Sequence, residues 1–365
     1  MKRINKYSTL GILFFPVLLS AVCRETTTYE ITTGSKTGTY FQIGKNLAQY
    51  VAPDACIDLK AINSNGSLDN VYKLISPKYP KLKFAIVQND VLQELKRRAS
   101  QGEEKSKKLV NSLRVIKPLY NEEIHILTRK DTSIKNFGDL KGKKIFIGKP
   151  KSGTAMTSLL LYKELFGEKL KNYVTGTAEK NDKKGDFFKR TLMQLSHKKI
   201  DAIIQVAGQP VGNLTKYVAK GSEQIIQLLP YDEKNSNHNP ISSYYTADIH
   251  EKNYHWINED IPTLTTKAFL VTYNYKNRGT TSKLKKFVQS LNQKLPILQA
   301  NSSKADSTPH PKWKQVPNEC NPPLPGGWLY HPVVNEVCGS TVVPEPRPTP
   351  ISVCTADDKI LGLCK

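Results

Sequence analysis

The residues best suited to bind a small molecule lie in short turns that join a strand to a helix. The clearest turn is Ser152-Gly153-Thr154, which follows the apolar run Ile145–Ile147 and precedes apolar residues at helical spacing. The first N–H groups of a helix lack internal partners and stand at the positive end of its dipole, so they favour an anion. The two hydroxyls add further polar groups. The alternative is a turn that only connects the two elements.

Two enzyme motifs that this turn resembles are incomplete. A phosphate-binding Walker loop requires Gly, four residues and then Gly-Lys-Ser/Thr. Gly148 and Gly153 have that spacing, but Thr154 occupies the lysine position. A nucleophile elbow requires glycines two residues before and after the serine, and Pro150 and Thr154 stand there instead. We therefore assign no catalytic residues and predict that the protein is not an enzyme.

A similar turn occurs near the start of the chain. The strand pattern Thr28–Thr33 is followed by a glycine-rich turn, and Gly38, Thr39 and Tyr40 open a helix. Tyr40 is a candidate for stacking on or hydrogen bonding to a ligand, and the alternative is a core aromatic residue. Two turns of this kind, each at a helix N-terminus, predict two lobes that present similar surfaces to one cleft.

Other candidates also follow predicted strands. They are Ser67, Asn70, Gln88, Asp90, Gln205, Gly208 and Pro210. A local helix-capping role is the alternative for Asn70 and for Asp90. The repeated order of strand, polar turn and helix is typical of a parallel sheet that binds its ligand at the carboxyl ends of the strands. Later in the chain, Leu113–Leu119 and Glu123–Arg129 are predicted to be two paired strands.

The N-terminus predicts export. Three basic residues precede Leu10–Val22, an apolar stretch that is too short to span a bilayer and is typical of a secretory signal peptide. Cleavage after a small-residue site would release a soluble periplasmic protein. The alternative is a lipid anchor at Cys23, although Ser20-Ala21-Val22 is a poor lipobox.

The chain of 365 residues carries a formal net charge of +22. The lysines are dispersed and no aromatic-rich basic motif accompanies them, so we predict no nucleic-acid partner. A lysine-rich surface that favours an anionic small ligand is the simpler interpretation. The histidine spacing offers no metal site, and no cofactor is predicted.

Six cysteines occur, and four of them lie near the C-terminus. Cys320, Cys338, Cys354 and Cys364 predict two disulfides in an oxidising compartment, with three pairings open. Cys56 has no obvious partner in the sequence. From residue 300 onwards, dense prolines and glycines predict a loop-rich extension.

The motifs in order resemble those of one protein family. The matching stretches are Thr33-Gly34, Gly38–Phe41, Asn65–Asn70, Phe84–Asp90, Leu119-Tyr120, Glu123–Leu127, Asp139–Lys143, Ser152–Thr154, Asp201-Ala202 and Ala207–Pro210. Together they resemble the TAXI family, the solute receptors of tripartite ATP-independent periplasmic (TRAP) transporters.

This resemblance implies a type II periplasmic-binding-protein fold, in which two α/β lobes close around a ligand cleft. It places the signal peptide at residues 1–23, lobe I at 24–121 plus 263–299, lobe II at 122–243, a crossover at 244–262 and a C-terminal extension at 300–365. It implies a monomeric receptor that delivers a glutamate-like amino acid or a dicarboxylate to a sodium-coupled TRAP membrane permease. The alternative is an envelope or surface interaction protein that keeps the fold without a transport ligand.

Overall fold

The computed structural model of the protein describes Cys23 and residues 25–176, 186–218, 225–302 and 309–339. The predicted signal peptide, apart from Cys23, lies outside the described residues, as do Cys354 and Cys364. Among the residues that are described, none of the helices combines the length and the apolar character needed to cross a bilayer.

Lobe I is built from strands and helices of both the N-terminal part and the later part of the chain. Its elements are β1 (Thr27–Thr32), α1 (Thr39–Asn46), β2 (Ile57–Ile62), α2 (Ser67–Leu74), β3 (Leu82–Gln88), α3 (Asn89–Ser100), α4 (Glu104–Ser112) and α8 (Arg278–Asn301). A π-helical turn at Leu47–Val51 and a 3-10 turn at Ala52–Ala55 extend α1. Strand β1 pairs in parallel with both β2 and β3, so the carboxyl ends of all three strands meet at one edge.

Lobe II repeats this plan in the middle of the chain. Its elements are β5 (Ile145–Phe146), α5 (Gly153–Phe166), β6 (Tyr173–Val174), α6 (Asp186–Ser196), β7 (Ala202–Ala207), α7 (Gly212–Tyr217) and β8 (Ile226–Leu228). Strand β5 lies in parallel between β6 and β7. Helix α5 begins where the Ser152 hydroxyl accepts the Ala155 N–H at 3.0 Å. It ends at Gly167, whose φ of 68° is the left-handed conformation that a glycine adopts without strain.

Two long strands join the lobes. Strand β4 (Leu113–Arg129) has 17 residues and β10 (Ile261–Tyr273) has 13, and they pair antiparallel along most of their length. The short strand β9 (Tyr245–Ile249) pairs with the first part of β10. The prediction of two paired strands over Leu113–Arg129 is wrong, because this segment is one continuous strand whose partners are β10, β7 and β8.

The resulting strand order is β2-β1-β3-β10-β4-β7-β5-β6. In lobe I, β10 comes from late in the chain and inserts between β3 and β4. In lobe II, β4 leads into the β7-β5-β6 half. This arrangement confirms the predicted α/β fold of the type II periplasmic binding proteins.

Apolar side chains cover both faces of each lobe's sheet. Along β3, Phe84 and Ile86 belong to one core cluster, whereas Ala85 and Val87 belong to another. This alternation follows from the two-residue period of a strand, whose successive side chains point to opposite faces. Two further clusters cover the faces of lobe II.

The C-terminal extension contains three short helical elements within residues 309–339. These are the 3-10 turns Pro311–Gln315 and Pro325–Gly327 and the helix α9 (Pro332–Cys338). Trp313 is fully buried in the lobe I core, and its indole N–H donates to Asn46 Oδ1 at 2.9 Å. The extension is therefore packed against lobe I rather than held only by its cysteines.

Two disulfides are formed within the described residues. Cys320 pairs with Cys338, which is one of the predicted pairings. Cys56 pairs with Cys23, so the sequence interpretation that left Cys56 without a partner is wrong.

Candidate functional site

A cavity of about 620 Å³ lies between the two lobes, at the carboxyl ends of their parallel strands. It is lined by the starts of helices from both lobes. The predicted site residues that line it are Gly38, Thr39, Tyr40, Ser67, Gln88, Ser152, Gly153, Thr154 and Gln205. Ligand pockets in proteins have volumes of about 300–1,000 Å³, so this cavity has the size of a small-molecule site.

Lobe I contributes the N-termini of α1 and α2 to the cavity. Neither helix has a side-chain cap, because glycines occupy both cap positions, Gly38 and Gly66. Gly66 has a φ of 118°, which an L side chain rarely adopts, and it lies against the backbone of Ser152 in lobe II. The uncapped starts of α1 and α2 leave backbone N–H groups available for an anionic group.

Lobe II contributes the N-terminus of α5. Both hydroxyls of the Ser152-Gly153-Thr154 turn already have internal partners. Ser152 caps the helix, and Thr154 Oγ1 accepts the Val206 N–H at 3.2 Å. The turn's remaining donors toward a ligand are therefore its backbone N–H groups, and the hydroxyls serve mainly to hold the turn in shape.

The lobes touch one another around the cavity. The Asp69 N–H of lobe I donates to the Lys151 carbonyl of lobe II at 3.1 Å. The Thr39 hydroxyl donates to the Gly208 carbonyl at 2.7 Å. A side-chain carbon at Gly153 would overlap the Gln88 side chain of lobe I. The structure is thus a closed arrangement in which the start of α5 abuts the end of β3.

A buried carboxyl group lies at the base of this cavity. Glu122, in the middle of β4, is 3% exposed, and its Oε2 accepts the Tyr40 hydroxyl at 2.6 Å. Burial, reinforced by the charges of Asp90 and Glu123, raises the pKa of Glu122 to about 8, although the Tyr40 hydrogen bond opposes the shift. The neutral carboxyl group can accept a hydrogen bond from a ligand hydroxyl group, and a ligand ammonium group beside it would favour the ionised form, which accepts more strongly.

Asn70 and Asp90 lie behind the cavity wall. The Asn70 amide donates to the carbonyls of Thr33 and Ile86, at 2.5 and 2.8 Å, and ties the turn after β1 to β3. Asp90 accepts the Thr157 hydroxyl of α5 at 2.5 Å and the Tyr244 hydroxyl at 3.2 Å. Asn70 therefore supports lobe I, and Asp90 links lobe I to lobe II.

Gly208 and Pro210 also lie outside the cavity lining. Gly208 contributes its carbonyl to the contact with Thr39 and packs against Tyr120 and Lys312. Pro210 follows a cis peptide bond. This loop after β7 therefore contributes to contacts between the lobes.

A profile of the NMT1-like family matches residues 31–307. The chain belongs to the NMT1-like family. The match covers both lobes and the strands that join them. Within this family, assignment to the TAXI receptors rests on the sequence motifs alone and stays a prediction.

Several solved structures resemble this NMT1-like protein at low identity. A mutant of ArgBP from T. maritima is 12% identical, with 74% of this chain and 90% of that chain covered and a TM-score of 0.42. ArtJ from Geobacillus stearothermophilus, described as an arginine-, lysine- and histidine-binding protein, is 15% identical over 74% and 91%, with a TM-score of 0.40. XAC2383 from Xanthomonas citri, described as bound to ATP, is 10% identical over 86% and 96%, with a TM-score of 0.45. Identities this low identify no ligand for the present chain.

Several cavity residues of this NMT1-like protein are missing from the sequence prediction. The most prominent are Glu122, Phe146, Lys149, Phe187, Phe188, Val211 and Asn213. The sequence carried one signal for Glu122, since two adjacent carboxylates interrupt the apolar run Val115–Leu127. Charged residues inside such a run are seldom buried without a specific role. The phenylalanines had no such signal, because their spacing is also that of ordinary core residues.

Proposed function

We propose that the protein is an extracytoplasmic solute receptor that binds a small carboxylate-bearing solute between its lobes. The observation that carries this proposal is the convergence of three helix N-termini, from α1, α2 and α5, on one cavity with a buried carboxyl group at its base. The proposal assigns no reaction to the protein.

The arrangement suits a solute that carries both an acceptor group and a donor group. A carboxylate would accept hydrogen bonds from the N–H groups at the helix starts, and an ammonium or hydroxyl group would donate to Glu122. A solute that contacts helix starts from both lobes binds the closed arrangement better than an open one. That difference in affinity would drive the lobes to close.

The partner that we propose is a TRAP-type, sodium-coupled membrane permease, and the support is the family resemblance of the sequence motifs. Uptake into vesicles containing the permease should then require both this receptor and an inward sodium gradient. Uptake that needs ATP instead of sodium would assign the receptor to a different class of transporter.

A thermal-shift screen tests solute binding directly. The mature protein would be titrated with amino acids, 2-hydroxy acids and dicarboxylates. A solute at about 100 times its dissociation constant stabilises the folded state by about 2.7 kcal/mol, which raises the unfolding midpoint by several degrees. A selective shift supports the receptor proposal. The receptor proposal is contradicted if no compound in the panel shifts the midpoint and native mass spectrometry detects no solute that stayed bound during purification. That result favours the interaction-protein alternative.

A further inference from the structure

The two lobes offer different chemistry to the cavity. Lobe I presents polar side chains and helix N-termini, with Tyr40 as its one aromatic residue there. Lobe II adds the apolar residues of the lining, which are Phe146, Phe187, Phe188, Val206, Ala207 and Val211. We refer to these six residues as the apolar wall.

Phe187 is the member of the apolar wall that the lobe II core covers only in part, although it packs against that core. Phe146 and Phe188 are 6% and 3% exposed and belong to the core of lobe II, whereas Phe187 is half-buried and lines the cavity. The backbone of Gly176 lies directly against this ring, where a side chain at residue 176 would overlap it. The Phe146 ring packs at a centroid distance of 5.8 Å, and Lys149 Nζ lies 5.4 Å from the Phe187 centroid. Phe187 is therefore held as a fixed aromatic surface.

The phenylalanine end of the apolar wall lies two strands away from Glu122 at the polar base of the cavity. Glu122 lies on β4, and Phe146 ends β5, with β7 between the two strands. Neighbouring strands are about 4.8 Å apart, so Glu122 and Phe146 are separated by about 10 Å across the sheet. Val206 and Ala207 lie between them, on the strand next to β4. A solute that reaches both Glu122 and Phe146 must carry its polar groups at one end and an apolar group at the other.

We propose that the solute is an amphipathic acid: an amino or 2-hydroxy acid whose side chain is aromatic or bulky and apolar. This inference rests on the proposed receptor function and narrows its substrate class. It also departs from the glutamate-like or dicarboxylate solutes that the sequence resemblance implies. A second carboxylate placed against the phenylalanine rings would lose its hydration without gaining hydrogen-bond donors from them. Lys149 Nζ lies 5.4 Å from the Phe187 centroid, so only a carboxylate that reaches this ammonium group would find a partner at the apolar wall. An aromatic ring placed there would bury apolar surface and stack on Phe187.

Calorimetry on the full mature chain tests this inference. The probes are phenylalanine, phenyllactate and leucine on one side, and glutamate and succinate on the other. We expect the first group to bind at least about tenfold more tightly than the second. Phe187→Ala should weaken the binding of the first group by about tenfold or more. Phe166→Ala is the matched control, because Phe166 is also a half-buried phenylalanine of lobe II but packs on Tyr162 outside the cavity.

The outcomes separate this inference from the receptor proposal. The amphipathic-acid inference is overturned if glutamate or succinate binds more tightly than the apolar probes, or if Phe187→Ala and Phe166→Ala have equal effects. Either result leaves the receptor proposal standing. The absence of binding by every probe to the wild-type protein overturns both. If Phe187→Ala lowers the unfolding midpoint, Phe187→Leu keeps most of the volume and removes only the ring. Phe187→Leu should then still weaken the binding of phenylalanine more than the binding of leucine.

Discussion

Glu122 is a carboxyl group placed where burial opposes its charge. Its pKa of about 8 lies above the ordinary carboxyl range, because water is excluded and Asp90 and Glu123 are close by. Between about pH 4.5 and about pH 8, the folded protein therefore keeps on Glu122 a proton that the unfolded chain has already released. By linkage, this group favours the folded state fully below the unfolded-state pKa, and the contribution is lost as the pH rises toward 8.

Replacing Glu122 by Gln should flatten this pH dependence. The amide keeps the hydrogen bond with Tyr40 but cannot ionise. We expect the wild-type unfolding midpoint, without added solute, to fall more steeply between pH 5 and pH 8.5 than that of E122Q. Differential scanning fluorimetry across this range measures both curves. Parallel curves would show that Glu122 titrates normally.

The residues of the site differ in how far their positions in the cavity can be predicted from the sequence. Gly38, Ser67 and Gly153 stand in local strand-to-helix patterns, so their positions in the cavity lining follow from short-range signals. Glu122 faces the cavity only because β4 passes beneath α1 and brings the carboxyl group to Tyr40, 82 residues away in sequence. Long-range placement of this kind is not encoded in any short motif.

At the scale of elements, the contact between α5 and β3 defines the closed arrangement. The start of α5 fits against the end of β3 only because residue 153 has no side chain. Apart from Met156 of α5, which packs into a lobe I core cluster, each lobe has its own core, so an obstruction here should act mainly on closure rather than on folding.

Replacing Gly153 by Val should weaken solute binding by about tenfold or more while the unfolding midpoint of the solute-free protein changes little. The added methyl groups collide with Gln88 and hold the lobes apart. Calorimetry gives the affinity, and small-angle scattering gives the spacing of the lobes. Shortening Gln88 to Ala in the same chain removes the nearest obstructing atoms, leaving Ser67 Oγ as the remaining close contact, and should restore part of the affinity. Wild-type affinity in G153V would contradict closure through this contact.

The order of strands and helices was predictable in most of both lobes because apolar periodicity and polar turns alternate regularly there. The middle of β4, which joins the lobes and which we call the hinge segment, was not predictable in this way. The polar residues Asn121–Glu123 look like a turn in the sequence, yet they are extended because β10 pairs with them on one side and β7 pairs with Glu123 on the other. Tertiary pairing thus overrides the local preference of the polar residues.

At the scale of the whole molecule, the C-terminal extension ties the hinge to both lobes. Lys312 Nζ lies 2.5 Å from Glu123 Oε1 on β4, and the two side chains are 3% and 2% exposed. The other oxygen of Glu123 accepts the Gln209 N–H of lobe II at 2.9 Å. The neighbouring Trp313 is buried in lobe I. One short turn therefore contacts the hinge strand and both lobes.

Replacing Lys312 by Met should destabilise the protein by about 3–5 kcal/mol, because it leaves Glu123 buried without its cation. Chemical denaturation measures the loss. The double variant K312M/E123Q removes the uncompensated charge and should recover much of it. Lys314 belongs to the same turn but is exposed, so K314M is the matched control and should change the stability by less than about 0.5 kcal/mol. Equal effects of K312M and K314M would contradict the importance of the buried ion pair.

The insertion of β10 between β3 and β4 has a consequence for how the chain assembles during synthesis. Lobe II is almost contiguous in sequence, so most of its contacts become available once residues up to β8 have emerged. The sheet of lobe I lacks β10, the strand that lies between β3 and β4, until residues 261–273 follow. The N-terminal strands are thus synthesised first, but their sheet is completed last. The edge of β3 stays unpaired until β10, more than 170 residues downstream, has been synthesised. Because distant pairings form slowly, we expect lobe I to be the last part of the molecule to reach its native state.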